Sequence, residues 1–83
     1  MVKMAFRSSA VRDLARLARP LRRLILIACR EVFDDWAIGK PLTGGLSGYR
    51  MHRVSVYRIL YIVRESSSIE TTAIGHRRDI NER

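Results

Sequence analysis

The sequence predicts an α+β domain in which a mainly antiparallel sheet carries a helical hairpin on one face, in the order β-α-α-β-β-β. Three observations predict it. From Gly48 to Arg78 the chain holds runs that alternate residue by residue and are separated by short polar breaks, the period of adjacent strands. The segment before them repeats apolar residues at spacings of three and four, the period of helices, with Pro20 interrupting the pattern. The length, 83 residues without a repeat or a low-complexity stretch, suits one small domain spanning residues 1–83.

Composition narrows the class of function. A hydrophobic fraction of 47% is that of a globular protein and excludes a disordered chain. Sixteen Lys and Arg against eight Asp and Glu give a net charge of +8, and Lys3 and Lys40 are the only lysines. Arginine presents a planar fork that matches phosphate, where lysine offers a point charge, so the excess points to an anionic partner, nucleic acid first. Cys29, the single cysteine, excludes an internal disulfide and a cysteine-built metal site, and its apolar helical surroundings make it a small core residue. The longest apolar run, Leu24 to Cys29, is too short to span a bilayer, so a cytoplasmic protein with no membrane partner is expected.

Taken in order, Val2 to Phe6 alternate as a first strand, with Val2, Met4 and Phe6 on one side. Ser8 and Ser9 offer an N-cap to a helix over about Ser9 to Ala18, in which Val11, Leu14, Leu17 and Ala18 share a face. Pro20 stops that helix and suits the first turn of the next. The second helix extends to about Trp36, with Leu21, Leu24, Ile25, Ala28, Cys29, Val32, Phe33 and Trp36 in rhythm and Leu26 and Ile27 widening the stripe, which predicts the more buried helix. Residues 39–48, GKPLTGGLSG, read as a connector, because the spacing of a phosphate-binding P-loop is absent and no strand precedes them. Three strands follow, with Ser66, Ser67 and Ser68 at the last turn.

Those strands carry Arg50, His52 and Arg53, then Arg58, then His76, Arg77 and Arg78, which is both histidines of the chain among five arginines. Arg50 and His52, two apart, share a face. A two-residue loop at Ser55 and Val56 pairs His52 with Ile59 and sends Arg58 to the opposite face. A three-residue loop, Val54 to Val56, pairs His52 with Arg58 and brings the cations together. The second register is the expectation, because it gathers Tyr49, Met51, Tyr57, Ile59, Tyr61 and Val63 against the helices. Converged arginines stabilise a pentacoordinate phosphate and a histidine moves protons near neutrality, the requirements of metal-free RNA cleavage by 2′-OH attack. No carboxylate cluster is available on that face for magnesium, and no cofactor is expected.

Four stretches now carry a resemblance: F-x-x-x-A-x-x-D-L at 6–14, GKPLTGGLSGYR at 39–50, VYRILYIV at 56–63 and GHRRDI at 75–80. Together with the order of elements they resemble the RelE/ParE superfamily of type II toxins. The resemblance implies a toxin neutralised by a cognate antitoxin. It also implies either a RelE-like ribosome-dependent mRNA endonuclease or, as the alternative, a ParE-like inhibitor of DNA gyrase. Carried across by position, Arg50, Arg58 and Arg77 match arginines of the family and His52 falls where RelE-like enzymes often have lysine; in this reading the three arginines hold phosphate in the transition state, His52 and His76 are the acid and base candidates, and Arg53 and Arg78 are phosphate contacts. Asn81 stands where RelE-like toxins commonly place a tyrosine that activates the attacking hydroxyl or stacks on a base. Asparagine does neither well. Asn81→Tyr is therefore expected to raise mRNA cleavage on ribosomes at least about tenfold, the equivalent of roughly 1.4 kcal/mol, read by mapping message ends after cell-free translation. An unchanged cut pattern alongside loss of cutting in His52→Ala would place the chemistry on histidine instead.

Overall fold

The computed structural model describes residues 3–64 and 68–78. Strand β1 (Lys3–Phe6) leads into helices α1 (Ser8–Ala15) and α2 (Arg19–Asp34), and a 3₁₀ turn at Trp36–Ile38 connects them to the short strand β2 (Lys40–Pro41). After a second 3₁₀ turn at Gly44–Leu46 come β3 (Tyr49–Val54), β4 (Tyr57–Arg64) and β5 (Ser68–His76). The five strands form one sheet in the order β1-β5-β4-β3-β2. Among the described residues, β1 and β5 pair in parallel and the other neighbouring strands antiparallel. Both helices lie on one face, as the alternation and helical periodicities predict.

The core is the seam between helices and sheet. Ile25, Ala28, Cys29 and Val32 of α2 recur at three and four and bury against Ile59, Tyr61, Ile69 and Ile74, with Ala10 contributed by α1. The wider stripe expected for α2 is overturned. Leu24, Leu26 and Ile27 are 45%, 44% and 56% exposed, and Val11 of α1 is 52% exposed. A chain this small supplies a single sheet, so a helix finds cover on one side only. Burial pushes the Cys29 thiol up to about 11, which keeps it protonated and inert near neutral pH.

The helix ends are held differently from expectation. Arg7, not Ser8 or Ser9, occupies the N-cap of α1 and makes no side-chain capping bond. Ser9 instead donates its hydroxyl to the carbonyl of Thr72 at 2.7 Å. At the other end, Arg22 reaches back from α2 and donates Nε and Nη2 to the carbonyls of Leu14 and Leu17 at 3.1 and 3.0 Å. It thereby satisfies acceptors that the end of α1 leaves exposed and ties the hairpin together. Helix α2 stops at Asp34, two residues before Trp36, and Asp35 accepts from the Ala37 amide. The connector at 39–48 contains β2, which pairs with β3.

Tyr61 connects the 3₁₀ turn to the sheet. It is fully buried, donates its hydroxyl to the Trp36 carbonyl at 2.6 Å and accepts from the Gly39 amide at 2.9 Å. Burial raises its pKa, an effect the Gly39 bond opposes, so the phenol stays neutral. A Cβ on Gly39 would stand 2.8 Å from two atoms of the ring, so only glycine fits beneath it. Tyr61→Phe is expected to cost about 1–3 kcal/mol by leaving two backbone groups without their partner. Each kcal/mol lost lowers Tm by roughly 4–8 °C in a domain of this size. Calorimetry of the two proteins checks this, and an unchanged Tm would mean that water replaces the phenol.

Candidate functional site

The register of β3 and β4 decides where the basic residues go. His52 pairs with Ile59, Arg50 with Tyr61, Arg53 with Arg58, and Val54 with Tyr57. The loop is the two-residue one, Ser55–Val56, with Ser55 at φ +57° and no positive φ at Val56, the pattern of a tight hairpin turn. The three-residue register and the convergence of Arg50, His52 and Arg58 are therefore overturned. Cross-strand partners share a face. Arg50 and His52 stand on the helix side beside Tyr61 and Ile59, while Arg53 and Arg58 stand on the outer face with Tyr49 and Met51. The expected gathering of Tyr49 and Met51 under the helices fails with it. The reason is the buried set of β4: Ile59 and Tyr61 must face the helices, and a two-residue turn then fixes the parity of β3.

Arg50 and His52 reach the helix side because α2 and the 3₁₀ turn supply partners at the margin of the sheet. Arg50 donates Nη1 to the Gly39 carbonyl at 2.7 Å, and its guanidinium lies 5.0 Å from the centre of the Trp36 ring. His52 Nε2 sits 3.6 Å from Glu31 of α2. Both side chains join the sheet to what covers it.

A bulge decides the last strand. Leu60 pairs with Ala73 but Tyr61 pairs with Thr71, which leaves Thr72 as an extra residue on β5. The helix-facing set of β5 is thus Ile69 and Thr71 before the bulge, then Ile74 and His76 after it. Without the bulge, His76 would emerge on the outer face next to Arg58. Its ring instead meets Tyr57 edge-on, centroids 5.6 Å apart, and its Nδ1 accepts from the Arg78 amide at 3.2 Å. Arg77 and Arg78 are exposed in the turn that follows, which the Arg77 amide ties to the Val56 carbonyl of the hairpin at 2.7 Å. The tip of the sheet thus brings four arginines into one neighbourhood. Arg53 and Arg58 face outward on adjacent strands, Gly75 opposite Arg58 adds no side chain, and Arg77 and Arg78 arrive beyond it. Arg58 lies over Met51, with Nη1 3.6 Å from its sulfur. Asn81 lies outside the described residues.

At the opposite end of the outer face the charges are neutralised. Glu70 accepts from Arg7 at 3.0 Å and from Arg64 at 3.2 Å. Partial desolvation pushes the Glu70 carboxyl up, but the two guanidinium groups outweigh it and hold the group below the usual carboxylate range. Among the described residues no three His, Cys, Asp or Glu side chains gather to hold a metal ion, and no helix is long and apolar enough to cross a membrane.

The sequence reading missed the row that α1 lays along β5. Strand β1 covers the edge of β5 only as far as Thr71, and α1 takes over there. Ser9 receives its place at Thr72, and Asp13 Oδ2 accepts from the Ile74 amide at 2.9 Å. A signal was available: Ser9 and Asp13 are polar residues four apart, flanking the apolar stripe of a short helix.

A family model describing the ParE toxin of type II toxin–antitoxin systems matches residues 4–81. Among solved structures, a chain of the RelBE2 toxin–antitoxin complex from Mycobacterium tuberculosis is similar, at TM-score 0.82 and 25% identity, over 92% of this chain and 98% of that one. The isolated RelE toxin of E. coli superposes at TM-score 0.75 and 18% identity, over 92% and 84%. A chain of the chromosomal ParDE system of P. aeruginosa does so at 0.77 and 13%, over 92% and 96%. The last two likenesses are of fold. No curated protein sequence matches the chain.

The split of the basic residues carries a consequence for mutation. Arg50→Leu is expected to cost about 1–2 kcal/mol, from a lost carbonyl hydrogen bond and a lost cation–π contact. Arg53→Leu, exposed on the outer face, is expected to change stability by less than about 0.5 kcal/mol. Urea unfolding followed by the emission of Trp36, the single tryptophan, measures both. Equal costs would show that Arg50 is not a structural tie.

Proposed function

The chain belongs to the ParE toxin family of type II toxin–antitoxin systems within the RelE/ParE superfamily, and from that premise we propose that it is a ribosome-dependent mRNA endonuclease whose phosphate-holding surface is the arginine tip of the outer face. The observation that carries this reading is the direct cross-strand pairing of Arg53 with Arg58 beside the Arg77–Arg78 turn. Two guanidinium forks side by side on one face match the oxygens of a phosphate.

In this reading the 2′-oxygen of a ribose attacks the adjacent phosphorus and the bond to the 5′-oxygen breaks, giving a 2′,3′-cyclic phosphate and a 5′-hydroxyl. Arg58, Arg53 and Arg77 stabilise the charge that builds on the pentacoordinate phosphate, and Arg78 contacts the neighbouring phosphate. His76, which stands on the helix side at the end of β5, is the proposed proton-moving group and acts around the tip of the sheet. Arg50 and His52 serve as ties between sheet and helices, and the proposal moves them out of the reaction. A second reading, gyrase inhibition, is favoured by one specific observation. The parity of the hairpin puts His52 on the opposite face from Arg58, and the bulge turns His76 the same way, so the outer face holds arginines without an imidazole.

The neighbouring structures that are toxin–antitoxin complexes support a cognate antitoxin as partner. Its seat is proposed on the outer side of α2, where Leu26 and Ile27 stand exposed between Arg19, Arg23 and Arg30. Apolar side chains rimmed by cations suit an acidic amphipathic segment.

Arg58→Ala is expected to lower message cleavage on translating ribosomes by on the order of 100-fold. Mapped 5′ ends of mRNA after cell-free translation supply the measurement, with circular dichroism as the check that the variant folds. Accumulation of gyrase–DNA cleavage complexes without codon-associated cuts in message would overturn the nuclease reading and establish the second.

A further inference from the structure

A cleft of about 460 Å³ opens where α1 runs out along the edge of β5. It lies on the helix side of the sheet, behind the arginine tip. Ser9 and Asp13 have by then taken the two preceding edge positions of β5, at Thr72 and Ile74. One turn further on, Arg16 follows the end of the helix, and the next step of the strand edge borders the cleft. Its walls include Asp13, Arg16, Tyr57, Gly75 and His76, with Leu17, Ala73 and Ile74 at its apolar side.

The walls combine groups that suit one class of ligand. Tyr57 and His76 present two rings at 70° to one another, a corner into which a flat heterocycle fits face to one ring and edge to the other. A carboxylate accepts several hydrogen bonds, so Asp13 retains acceptor capacity beyond the one it gives to the Ile74 amide. His76 accepts the Arg78 amide on Nδ1, which leaves the neutral ring with its proton on Nε2 as a donor. Arg16 and the Arg77–Arg78 turn add positive charge where the cleft meets the tip. A ring corner, an acceptor-rich carboxylate, an imidazole donor and a cationic border together describe a nucleotide site.

We propose that this cleft binds one base of a single-stranded RNA whose phosphate is held at the arginine tip, and that Asp13 selects bases bearing an exocyclic amine. Cytosine, adenine and guanine offer Asp13 an exocyclic amine; uracil offers its N3–H only between two carbonyls, whose oxygens a carboxylate repels. The subsite rests on the RNA reading for its role in cleavage, but its occupancy is measured independently of any cutting.

Chemical-shift titration of the whole protein with CMP and UMP tests it. CMP is expected to shift the signals of Tyr57, Gly75 and His76 saturably and to bind roughly tenfold more tightly than UMP, the order of discrimination that a well-placed polar contact to a base gives. Asp13→Asn retains a carbonyl oxygen for the Ile74 amide and is expected to bring the two affinities to within about twofold, since an amide pairs with either base. Arg58→Ala is expected to leave the CMP shifts at Tyr57 and His76 in place. A cytosine-containing trinucleotide is expected to shift Arg53, Arg58 and the cleft together, which distinguishes RNA from a free nucleotide as the natural occupant. Shifts confined to the outer face, equal affinity for CMP and UMP in the unaltered protein, or no saturation at millimolar CMP would each overturn the subsite. Saturable CMP binding at the cleft in a protein that cuts no message would sustain the subsite and remove the nuclease reading.

Discussion

The hydroxyl of Tyr61 is the point on which the rest of the molecule depends. It sits where the helical layer hands over to the sheet, donating to a carbonyl of the 3₁₀ turn and accepting from the amide that begins the return to β2. A phenol buried without those partners would cost more than its ring gains, so the turn and the strand must meet there in one arrangement. Gly39 fits under the ring because it has no side chain. With Tyr61 fixed toward the helices, the parity of β4 is fixed, and the tight turn at Ser55 passes that parity to β3. The placing of every basic residue on those strands follows from it.

Two devices of backbone geometry therefore sort the charged residues between the faces. The turn sends Arg50 and His52 to the helix side and Arg53 and Arg58 outward. The bulge at Thr72 reverses the phase of β5 and turns His76 inward. The result is a division of labour among residues of like chemistry. Arg50, bound to Gly39 and stacked on Trp36, acts as mortar, whereas Arg53 and Arg58 face each other across two strands on the outer side. Position in the ladder, and not residue type, separates them.

Much of the fold was legible because it rests on periodicity. The strand and helix periods, Pro20 between two helical patterns and the alternation from Tyr49 onward each map directly onto an element. What was not legible turned on single positions. Ser8 and Ser9 looked like a cap, but the Ser9 hydroxyl has a better-placed acceptor at Thr72, which lies 63 residues away and is invisible to local reading. Leu26 and Ile27 looked buried because hydrophobicity does not say how many faces of a helix find cover. The candidate site was legible as a set of residue types and misread as an arrangement, because the loop length between β3 and β4 had no Asn-Gly or Asp-Gly to mark it. One signal of the bulge did stand in the sequence. Ile69 and Ile74 are five apart, an odd interval that a regular strand cannot place on one face.

The parallel pairing of β1 with β5 has a further consequence for how the chain is made. Strand β5 lies inside the sheet, second from the β1 edge, and is the last of the described strands in chain order, while one of its partners is the first. Arg7 and Glu70, which meet in the finished sheet, are 63 residues apart, so no part of the β1–β5 seam can close until β5 has been made. Topologies dominated by such distant contacts fold slowly, because the entropy of closing the loop is lost before the contacts repay it. The α1 contacts to Thr72 and Ile74 wait for the same event. During synthesis the helical hairpin and the β3–β4 hairpin can form locally, but the arginine tip, whose second half is carried by the end of β5, does not yet exist. The nascent chain thus leaves its arginine tip unassembled until β5 has been made, a delay built into strand order alone.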